Sequence, residues 1–508
     1  MSDLAALILA GGQSRRMKSP LSKILHRVAG RPLIHYPVAA ARAAGAASVV
    51  VIASPKDRET VESYLIGVFG REAIRVVVQD PPRGTGDAAR VGLAALDAAA
   101  QRTLILSGDV PLIAREDVDR LAGALSSERP LVLGTCRMAS PRGYGRILRD
   151  ASGRAYAIRE QADLKSEREA AIDEINAGLY AVMVDKLKSA LAGLSPNNAQ
   201  GEYYLTDILP VFAEHQGIGT VELSRDAVFG VNDRSQLAQV EDVMFARIAE
   251  RHRLAGSSVA SGARIDDAVQ IGADARVESN VFLRGDTVIG DGTLIDVGCV
   301  ITDSTLGARV TLHPYTVVEE STVGEGCQLG PFARVRPKSV LEADVRLGNF
   351  VETKATRMRR GAKANHLSYL GDGDVGENTN IGAGTIFCNY DGVSKNKTTI
   401  GRDVFIGSDS QLVAPVTVGD GAYVATATCV TQDVPGDALA IGRVRQENKE
   451  GYAPKLRAIQ AAKKRGQGAK GPRGGGIERP IDALAPDDGI SSMPGSEAII
   501  TAAAAVSD

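Results

Sequence analysis

An aliphatic residue recurs at every sixth position through much of the second half of the chain. The first run comprises Ile265, Ile271, Val277, Leu283, Ile289, Ile295 and Ile301. After one-residue slips, the repeat continues at Leu312 and Val318, at Val323, Leu329, Val335, Leu341 and Leu347, at Val375, Ile381 and Phe387, and at Ile400, Ile406, Leu412, Val418, Val424 and Val430. A hexapeptide period is the signature of a parallel β-helix, in which each repeat supplies one short strand and a turn. Chance apolar positions in a glycine-rich loop region would not keep one phase over so many repeats, so residues 257–452 are predicted to form a β-helix.

The first half of the chain has a different pattern. Short runs rich in β-branched residues, such as "SVVVIAS" and "TLILSGD", alternate with alanine-rich segments that favour helix, such as "AARVGLAALDAAAQ". This alternation is typical of βαβ units around a mainly parallel sheet. We therefore predict a Rossmann-like α/β domain over residues 1–233. Two domains also suit a chain of 508 residues, since single cores stop growing at about 250–300 residues.

Two further segments complete the predicted organisation. Residues 234–256 contain no proline and place Val240, Met244 and Ile248 at helical intervals, which predicts a connecting helix. From residue 453 the chain is rich in Ala, Gly, Lys and Pro, a composition that does not repay the entropy of ordering. Residues 453–508 are therefore predicted to be a disordered tail.

Composition narrows the functional classes. The formal net charge is −2, which gives no overall basic field, so we expect small-molecule substrates and no nucleic-acid partner. The five cysteines are widely spaced and form no C-x-x-C pair, which argues against a disulfide framework or structural zinc. No stretch approaches the roughly 18–20 apolar residues that span a bilayer. The sequence thus predicts a cytoplasmic protein without a membrane partner.

A loop with two glycines follows the first predicted strand, in "LILAGGQSRRMKSPLSKIL". Gly11 and Gly12 let the backbone approach a ligand closely and expose N–H groups to an anion. The same segment carries the cations Arg15, Arg16, Lys18 and Lys23. Together these features favour a polyphosphate ligand, and a solvated basic loop is the alternative for Arg15 and Lys18.

Asp109 lies directly after another predicted buried strand, in "LILSGDVPL". This is the carboxyl edge at which open α/β sheets bind ligands. A carboxylate there suits Mg²⁺, which prefers oxygen ligands and substrate phosphates. On spacing alone, an aspartate that caps the following turn is an equal alternative.

Several motifs, taken in order, resemble those of one bacterial family. "LAGGQSRRM", "QDPPRGTGDA", "SGDVPL", "GYGRI", "EINAGLY" and "FGVNDR" resemble the nucleotidyltransferase half of the bifunctional N-acetylglucosamine-1-phosphate uridyltransferase/glucosamine-1-phosphate acetyltransferases. The resemblance implies uridylyl transfer from UTP to N-acetylglucosamine-1-phosphate, with release of pyrophosphate. The implied nucleotide contacts are Leu9, Ala10, Gly12, Arg16, Lys23, Gln79, Gly84, Thr85 and Asn232, the implied amino-sugar contacts are Gly145, Glu160 and Asn176, and the implied Mg²⁺ ligands are Asp109 and Asn232.

The stretch "NHLSYLGD", residues 365–372, falls where the aliphatic repeat lapses. Because a β-helix turns its aliphatic residues inward, His366, Tyr369 and Asn380 are predicted on a lateral surface. A surface histidine is more often solvated than catalytic, but Arg336 and Lys354 offer two cations for a sugar phosphate. We interpret the lapse as the place where the repeat stops to position a catalytic group.

The same family resemblance implies that the solenoid is left-handed, forms a homotrimer and transfers acetyl from acetyl-CoA to glucosamine-1-phosphate. His366 is then the implied general base that takes a proton from the amine. The implied sugar-phosphate contacts are Arg336, Lys354, Tyr369 and Asn380, and the implied coenzyme contacts are Ala383, Asn389, Tyr390, Ser408, Thr426 and Arg443. The inserted stretch "NYDGVSKNK" is predicted to project as a loop that reaches an adjacent subunit.

The sequence departs from the family pattern at a few positions. Ser14 and Arg15 stand where the family often has Gly-Thr, Ser22 where it has proline, Asp87 where it has histidine, and Thr426 where it has a smaller residue. Asp87 bears on the contacts to the base, and Thr426 bears on the width of the coenzyme channel.

Two alternative functions stay open at the level of sequence. One is a monofunctional sugar-nucleotide pyrophosphorylase whose solenoid only assembles subunits, and the other is a non-catalytic scaffold. The polar cluster around His366 favours two activities, because a purely structural solenoid would not need it.

Overall fold

The computed structural model describes residues 3–12, 15–215 and 217–466. It separates into two compact units, one that ends at Arg309 and one that begins at Val310. The domain boundaries at 233, 256 and 452 stay predictions. None of the described helices is long and apolar enough to cross a membrane.

The first unit opens with an α/β fold. Its strands and helices are β1 Leu4–Ala10, β2 Arg27–Val28, β3 Arg31–Pro32, α1 His35–Ala43, β4 Ser48–Ala53, α2 Arg58–Phe69, β5 Ile74–Val78, α3 Thr85–Leu93, β6 Arg102–Ser107, α4 Arg115–Gly123, β7 Leu131–Arg137, β8 Arg146–Arg149, β9 Ala155–Arg159, α5 Glu167–Ala170, β10 Glu174–Met183, α6 Val184–Ala192, α7 Leu209–His215, β11 Ile218–Glu222 and α8 Arg234–Leu254.

Most of these strands form one nine-stranded sheet. Its central order is β11-β7-β10-β6-β1-β4-β5, and β8 pairs with β10 and β9. Strand β1 is parallel to β4 and β6, and β4 is parallel to β5, whereas β10 runs antiparallel to β6 and β7. The predicted Rossmann-like α/β architecture is confirmed, with antiparallel pairing at β10 and between β8 and β9.

Both faces of the sheet are covered by helices. Leu7 of β1 belongs to a core that includes Leu187 of α6, and the next residue, Ile8, belongs to a second core that includes Leu121 of α4. Successive strand residues point to opposite faces. This double burial explains why "LAALILA" contains no polar residue.

The helix predicted for 234–256 is α8. Asp233 caps it, since its Oδ1 accepts a hydrogen bond from Gln236 N at 2.9 Å. Val240, Met244 and Ile248 are buried, as their helical spacing predicts.

The β-helix begins in the first unit. Its strands there are β12 Ser258–Val259, β13 Arg264–Ile265, β14 Gln270–Ile271, β15 Arg276–Val277, β16 Phe282–Arg284, β17 Val288–Ile289, β18 Leu294–Ile295, β19 Val300–Thr302 and β20 Thr305–Leu306. Every third strand pairs in parallel, so three narrow sheets result. Arg276 pairs with Leu294, so one coil spans three hexapeptides.

The second unit contains further coils of the same kind. Its elements are β21 Thr311–Leu312, β22 Val317–Glu319, β23 Thr322–Val323, β24 Gln328–Leu329, β25 Arg334–Val335, β26 Val340–Leu341, β27 Arg346–Asn349, β28 Glu352–Lys354, β29 Arg357–Met358, β30 Lys363–His366, β31 Tyr369–Gly371, β32 Gly373–Val375, β33 Asn380–Ile381, β34 Ile386–Cys388, β35 Thr398–Ile400, β36 Phe405–Ile406, β37 Gln411–Val413, β38 Val416–Val418, β39 Tyr423–Val424, β40 Cys429–Val430, β41 Leu439–Ala440 and α9 Tyr452–Gly466.

The periodic aliphatic residues point into the coils. All those named above are buried except Ile271, which is half-buried. The predicted left-handed parallel β-helix is therefore confirmed.

The interpretation of "NHLSYLGD" as a stop in the repeat was wrong. Strands β30 and β31 continue the coils through this stretch, and β30 pairs in register with β27 and β33. The inward positions are Thr353, Met358, Ala364 and Leu370, all buried. The aliphatic pattern lapses because a hydroxyl-bearing, a thioether and a small side chain fill the first three of these positions, while the backbone keeps its period.

The coil is lengthened at the later insertion. Gly373 pairs with Thr398, so this coil contains the extra residues of "NYDGVSKNK". Tyr390 forms an isolated antiparallel bridge with Lys395, so the insertion is a small loop. That it reaches an adjacent subunit stays a prediction.

The predicted disordered tail is corrected in its first part. Residues Tyr452–Gly466 form helix α9. The segment "KLRAIQAAKK" consists almost entirely of strong helix formers, and the glycine- and proline-rich composition begins only after it. The rest of the predicted tail, 467–508, lies outside the described residues, as does Ser14.

Candidate active sites

A cleft of about 710 Å³ opens at the carboxyl edge of the large sheet. Parallel strands end there, so the segments that follow β1, β5 and β6 meet around one space. Ten of the predicted residues line it: Leu9, Ala10, Gly12, Lys23, Gln79, Gly84, Thr85, Asp109, Glu160 and Asn176. The structure thus brings together residues that are far apart in the chain.

One end of the cleft carries charge. Lys23 Nζ forms an ion pair with Asp109 Oδ2 and lies 3.2 Å from Asn232 Oδ1. Arg16 Nη2 donates to the same Asn232 oxygen at 2.8 Å. Ser107 Oγ donates to Asp109 Oδ1 at 2.7 Å and so holds the carboxylate in place. Two cations and two oxygen ligands therefore converge at one point.

The charged end fits a divalent metal. Asp109 and Asn232 present hard oxygen donors, and both already contact one cationic group, the Lys23 ammonium. Among the described residues there is no group of three or more His, Cys, Asp or Glu side chains that could hold a metal. Two protein oxygens complemented by substrate phosphates are a common arrangement for Mg²⁺.

The amino-sugar residues form a second wall. Burial raises the pKa of Glu160. A Cβ at Gly145 would lie 3.3 Å from Glu160 Oε1, so glycine leaves this carboxylate room. Asn176 Nδ2 donates to Tyr180 Oη at 2.7 Å. Gly145 and Asn176 are joined by the backbone, since Asn176 N donates to Gly145 O at 2.9 Å.

A third wall of the cleft contains Gln79. Its Nε2 donates to Gly84 O at 3.0 Å and to Asp87 Oδ2 at 2.9 Å. Gly84 has a positive φ of 109°, and a Cβ there would lie 2.6 Å from Tyr203 O, so only glycine fits. Thr85 begins α3, and its Oγ1 accepts from Leu205 N at 3.0 Å.

In the second unit, one corner of the β-helix carries a row of predicted residues. Backbone hydrogen bonds join successive turns at this corner: Leu367 N to Asn349 O at 2.9 Å, Gly384 N to Leu367 O at 3.0 Å, Asp409 N to Ala383 O at 2.7 Å and Ala427 N to Ser408 O at 2.9 Å. His366, Ala383, Ser408 and Thr426 therefore follow one another coil by coil. Arg443 Nη1 extends the row by donating to Thr426 O at 2.5 Å.

A second group of predicted residues meets at Asp372. Lys354 Nζ donates to Asp372 Oδ1 at 3.0 Å, and Asn389 Nδ2 donates to Asp372 Oδ2 at 2.5 Å. A Cβ at Gly371 would lie 2.6 Å from Asn389 Nδ2, and the Tyr369 hydroxyl occupies the same place. Asp372 thus fixes a lysine and an asparagine around the Tyr369 hydroxyl.

Arg336 lies near this group. Its Nη1 donates to Glu352 Oε1 at 2.8 Å, and this hydrogen bond raises the pKa of Arg336. The same guanidinium interacts electrostatically with Tyr369. Both predicted phosphate-binding cations, Arg336 and Lys354, therefore have a carboxylate partner.

His366 and Asn380 lie on a different sheet from Tyr369. His366 ends β30 and Asn380 begins β33, whereas Tyr369 begins β31. The His366 side chain is exposed, and no hydrogen-bond partner for its ring is found in the described part of the chain. Tyr390 belongs to the inserted loop, where its hydroxyl donates to Gly392 O at 2.6 Å. Within one chain the described contacts do not bring all the predicted residues into a single cluster.

Sequence reasoning missed several residues of these sites. Ser107, Tyr180 and Thr206 line the first cleft, and Asp372 joins the polar side chains in the second unit. Three signals were available: Ser107 lies two residues before Asp109, Tyr180 ends the quoted motif "EINAGLY", and Asp372 ends the quoted stretch "NHLSYLGD". Thr206 carried no signal in the sequence.

Comparison with known protein families gives two matches. Residues 6–171 match the model of the MobA-like NTP transferase domain. Residues 265–358 match the model of the GMPPB C-terminal domain. The first match contains most of the cleft, and the second contains the early coils of the β-helix.

Curated relatives match over most of their length. The chain is 52% identical over 471 residues to "Bifunctional protein GlmU" of Sorangium cellulosum (strain So ce56), which covers 91% of this chain and 99% of that protein. It is 46% identical over 465 residues to the protein of the same name from Anaeromyxobacter dehalogenans (strain 2CP-C), covering 91% and 95% of the two chains. The protein of that name from Trichlorobacter lovleyi is 46% identical over 464 residues, covering 90% and 99%.

Proposed function

The chain belongs to the family of bifunctional GlmU proteins, and from this premise we propose which residues carry each of its two activities. It is a bifunctional transferase that makes UDP-N-acetylglucosamine. One activity moves acetyl from acetyl-CoA to glucosamine-1-phosphate. The other moves the uridylyl group of UTP to N-acetylglucosamine-1-phosphate.

We propose that the cleft of the α/β fold performs uridylyl transfer. The observation that carries this assignment is the convergence of Lys23, Arg16, Asp109 and Asn232 beside the glycine loop. An oxygen of the sugar phosphate attacks the α-phosphorus of UTP, the bond to the β-phosphate oxygen breaks, and pyrophosphate leaves. Such a reaction needs positioning and charge neutralisation rather than a protein nucleophile.

Each wall of the cleft has a proposed role. Lys23 and Arg16 bind the phosphates, Gln79, Gly84 and Thr85 bind the base, and Gly145, Glu160 and Asn176 bind the amino sugar. Leu9, Ala10 and Gly12 let the nucleotide lie close to the end of β1. A divalent metal belongs to the activity of this family, and we propose that it is Mg²⁺ held by Asp109 and Asn232, where it would neutralise phosphate charge.

We propose that the corner row of the β-helix performs acetyl transfer. The neutral amine of glucosamine-1-phosphate attacks the thioester carbonyl while the imidazole of His366 takes its proton. The C–S bond then breaks, and the proton passes from the imidazolium to the leaving thiolate of coenzyme A. The exposed ring of His366 supports this role, because a base must reach its substrate.

The remaining residues would bind the two substrates of that step. Arg336, Lys354, Tyr369 and Asn380 are proposed to hold the sugar phosphate. The coenzyme is proposed to follow the corner, in contact with Ala383, Asn389, Tyr390, Ser408, Thr426 and Arg443. The alignment of Ala383, Ser408 and Thr426 on successive coils supports an extended ligand there.

We propose that three copies of the chain assemble around this site. The separation of His366 and Asn380 from the Asp372 group within one chain supports a site completed by a neighbour, and the inserted loop offers a means of contact. Sedimentation equilibrium of the purified protein tests this, and a monomer with full acetyl transfer would exclude it. The cytoplasmic location stays a prediction.

The residue assignments are tested with two assays on one sample. Thiol release is followed with acetyl-CoA and glucosamine-1-phosphate, and pyrophosphate release with UTP, N-acetylglucosamine-1-phosphate and Mg²⁺. Substitutions in the cleft should change only pyrophosphate release, and substitutions on the corner should change only thiol release. A cleft substitution that abolishes thiol release in a folded protein would contradict the assignment.

A further inference from the structure

We propose that Asp87 determines the nucleobase selectivity of uridylyl transfer by holding the Gln79 amide in one orientation. This inference rests on the proposed function of the cleft. It concerns a residue that departs from the family pattern, and it assigns to that residue a positioning role rather than a direct contact with substrate.

The layout of the cleft separates a phosphate end from a base end. Lys23 and Asp109 form the phosphate end, and the cleft is also lined by Gln79, Gly84 and Thr85, with Asp87 bonded to Gln79 and Glu202 beside Gly84. A nucleotide places its phosphates on the cations, so its base reaches Gln79, Gly84 and Thr85. Uncharged polar groups such as the Gln79 amide discriminate between bases by the direction of their hydrogen bonds.

Both amide hydrogens of Gln79 are already used. They are donated to Gly84 O at 3.0 Å and to Asp87 Oδ2 at 2.9 Å. A carbonyl oxygen and a carboxylate only accept hydrogen bonds, so Nε2 must be the atom that faces them. Gln79 is 4% exposed, and a reversed amide would bury its oxygen against two other acceptors at high cost.

The remaining polar atom of Gln79 is therefore an acceptor. A Cβ at Gly11 would lie 3.3 Å from Gln79 Oε1, so this oxygen points toward the glycine loop. No donor to it is found in the described part of the chain. Uracil presents an N–H donor at N3, whereas cytosine presents a lone pair there. When the base lies against Gln79 Oε1, N3–H of uracil donates a hydrogen bond to this oxygen. N3 of cytosine would instead place a second acceptor against it, so cytosine binds more weakly.

Of the two acceptors that orient the Gln79 amide, only Asp87 can be changed by substitution. The Gly84 carbonyl belongs to the backbone and survives any substitution, so it alone retains part of the selectivity. Asp87 Oδ1 also lies 3.7 Å from Arg90 Nη1, which offers a matched control for loss of the ion pair. An asparagine at 87 could donate to a reversed Gln79 amide, so Asp87→Asn removes the constraint with little change in shape.

The experiment measures kcat/KM for pyrophosphate release with UTP and with CTP, using the full-length purified protein. In Asp87→Asn the UTP/CTP ratio should fall about tenfold, the order expected for one hydrogen bond to a charged group. In Arg90→Gln, which removes the ion pair and keeps the carboxylate, the ratio should not change. A ratio that falls equally in both variants would overturn the proposal.

A purely structural role predicts a different result. If Asp87 only stabilised the start of α3, both kcat/KM values would fall by the same factor, and the proposal would be wrong. Asp87→Ser provides a second variant in case Asp87→Asn does not fold, because a hydroxyl both donates and accepts and should lower the ratio in the same direction. A wild-type protein that releases no pyrophosphate from UTP would instead refute the proposed function of the cleft, and this inference with it.

Discussion

The cleft of the α/β fold and the corner of the β-helix collect their residues in opposite ways. The cleft gathers residues from Leu9 to Thr206 at one edge of a sheet, and they surround a space of about 710 Å³. The corner presents His366, Ala383 and Ser408 on successive coils, where they face outward in a row. The edge of an α/β sheet can surround a compact ligand. The corner of a solenoid contacts an extended ligand along only one side.

The cations of the two sites are also held differently. In the cleft, Lys23 contacts Asp109 and Asn232, which are themselves the proposed metal ligands. In the second unit, Arg336 and Lys354 are paired with separate carboxylates. If the proposed roles hold, substrate binding rearranges the proposed metal ligands in the first site, but only counter-ions in the second.

The largest expected effect is on acetyl transfer. His366→Ala should lower the rate of thiol release by roughly 10²–10⁴-fold, the range that a general base contributes, and should leave pyrophosphate release unchanged. His313→Ala is the matched control: His313 lies three coils earlier, at the register of Asn365, and its substitution should leave both rates unchanged. Equal loss of both activities in His366→Ala would show that the two sites are not independent.

The converse substitution acts on the cleft. Asp109→Ala should reduce pyrophosphate release by roughly 10²–10³-fold, because it removes the proposed ligand of the metal that would neutralise charge at the phosphates. Thiol release, measured on the same sample, should stay at the wild-type rate. If uridylyl transfer survived, the metal ligand would have to be a residue other than Asp109.

The two regions should also differ in acid sensitivity. Burial and the nearby Arg31 cation lower the pKa of His35 to about 4, while Asp267 opposes the shift. His35 Nδ1 lies 3.0 Å from Tyr64 Oη. In the unfolded chain His35 takes up a proton near pH 6.5, whereas in the folded protein it does so only near pH 4. The contribution of neutral His35 to the free energy of unfolding is therefore fully present above pH 6.5. It is lost as the pH falls toward 4, by up to about 3 kcal/mol.

Hydrogen exchange measured peptide by peptide checks this difference. Peptides of the α/β fold should lose protection before those of the second unit between pH 6.5 and 4. His26 and His252 add to the effect, since burial lowers both pKa values as well. His35→Gln should remove part of the acid dependence. Simultaneous loss of protection in both regions would contradict the prediction.

The smallest expected effect concerns metal binding without nucleotide. Lys23 contacts both proposed metal oxygens, so Lys23→Ala should tighten Mn²⁺ binding to the nucleotide-free protein about tenfold, the order expected for removing one partly screened charge. Electron paramagnetic resonance of free Mn²⁺ measures this directly. Lys18→Ala is the control and should have no effect. Unchanged binding in Lys23→Ala would place the metal elsewhere.

The repeating and alternating patterns of the sequence determined both architectures. A hexapeptide period and a βαβ alternation are local signals, because each coil or unit buries its own apolar residues against its neighbours. For the same reason the sequence located Asp109, which closely follows a predicted strand, and the glycine loop whose segment carries Lys23. It also placed α8, whose buried positions recur at helical spacing.

The sequence-based predictions were wrong where the backbone keeps its period but the residue type at the repeated position changes. Thr353, Met358 and Ala364 fill inward positions of the β-helix, but they do not read as part of an aliphatic repeat. The helix α9 was likewise hidden within a tail whose average composition suggested disorder. In both cases we judged a segment by its average pattern or composition, and this hid the structure that its individual residues form.

Only the tertiary structure decided how the polar side chains are paired. The contact between Gln79 and Asp87 follows from the turn that Gly84 permits, and Asp372 joins Lys354 to Asn389 across separate coils. A hydrogen bond depends on distances and angles between groups far apart in the chain, and no periodicity encodes these. The sequence therefore determined which scaffolds form and which residues face their edges, while folding in three dimensions decided which of those residues orient one another.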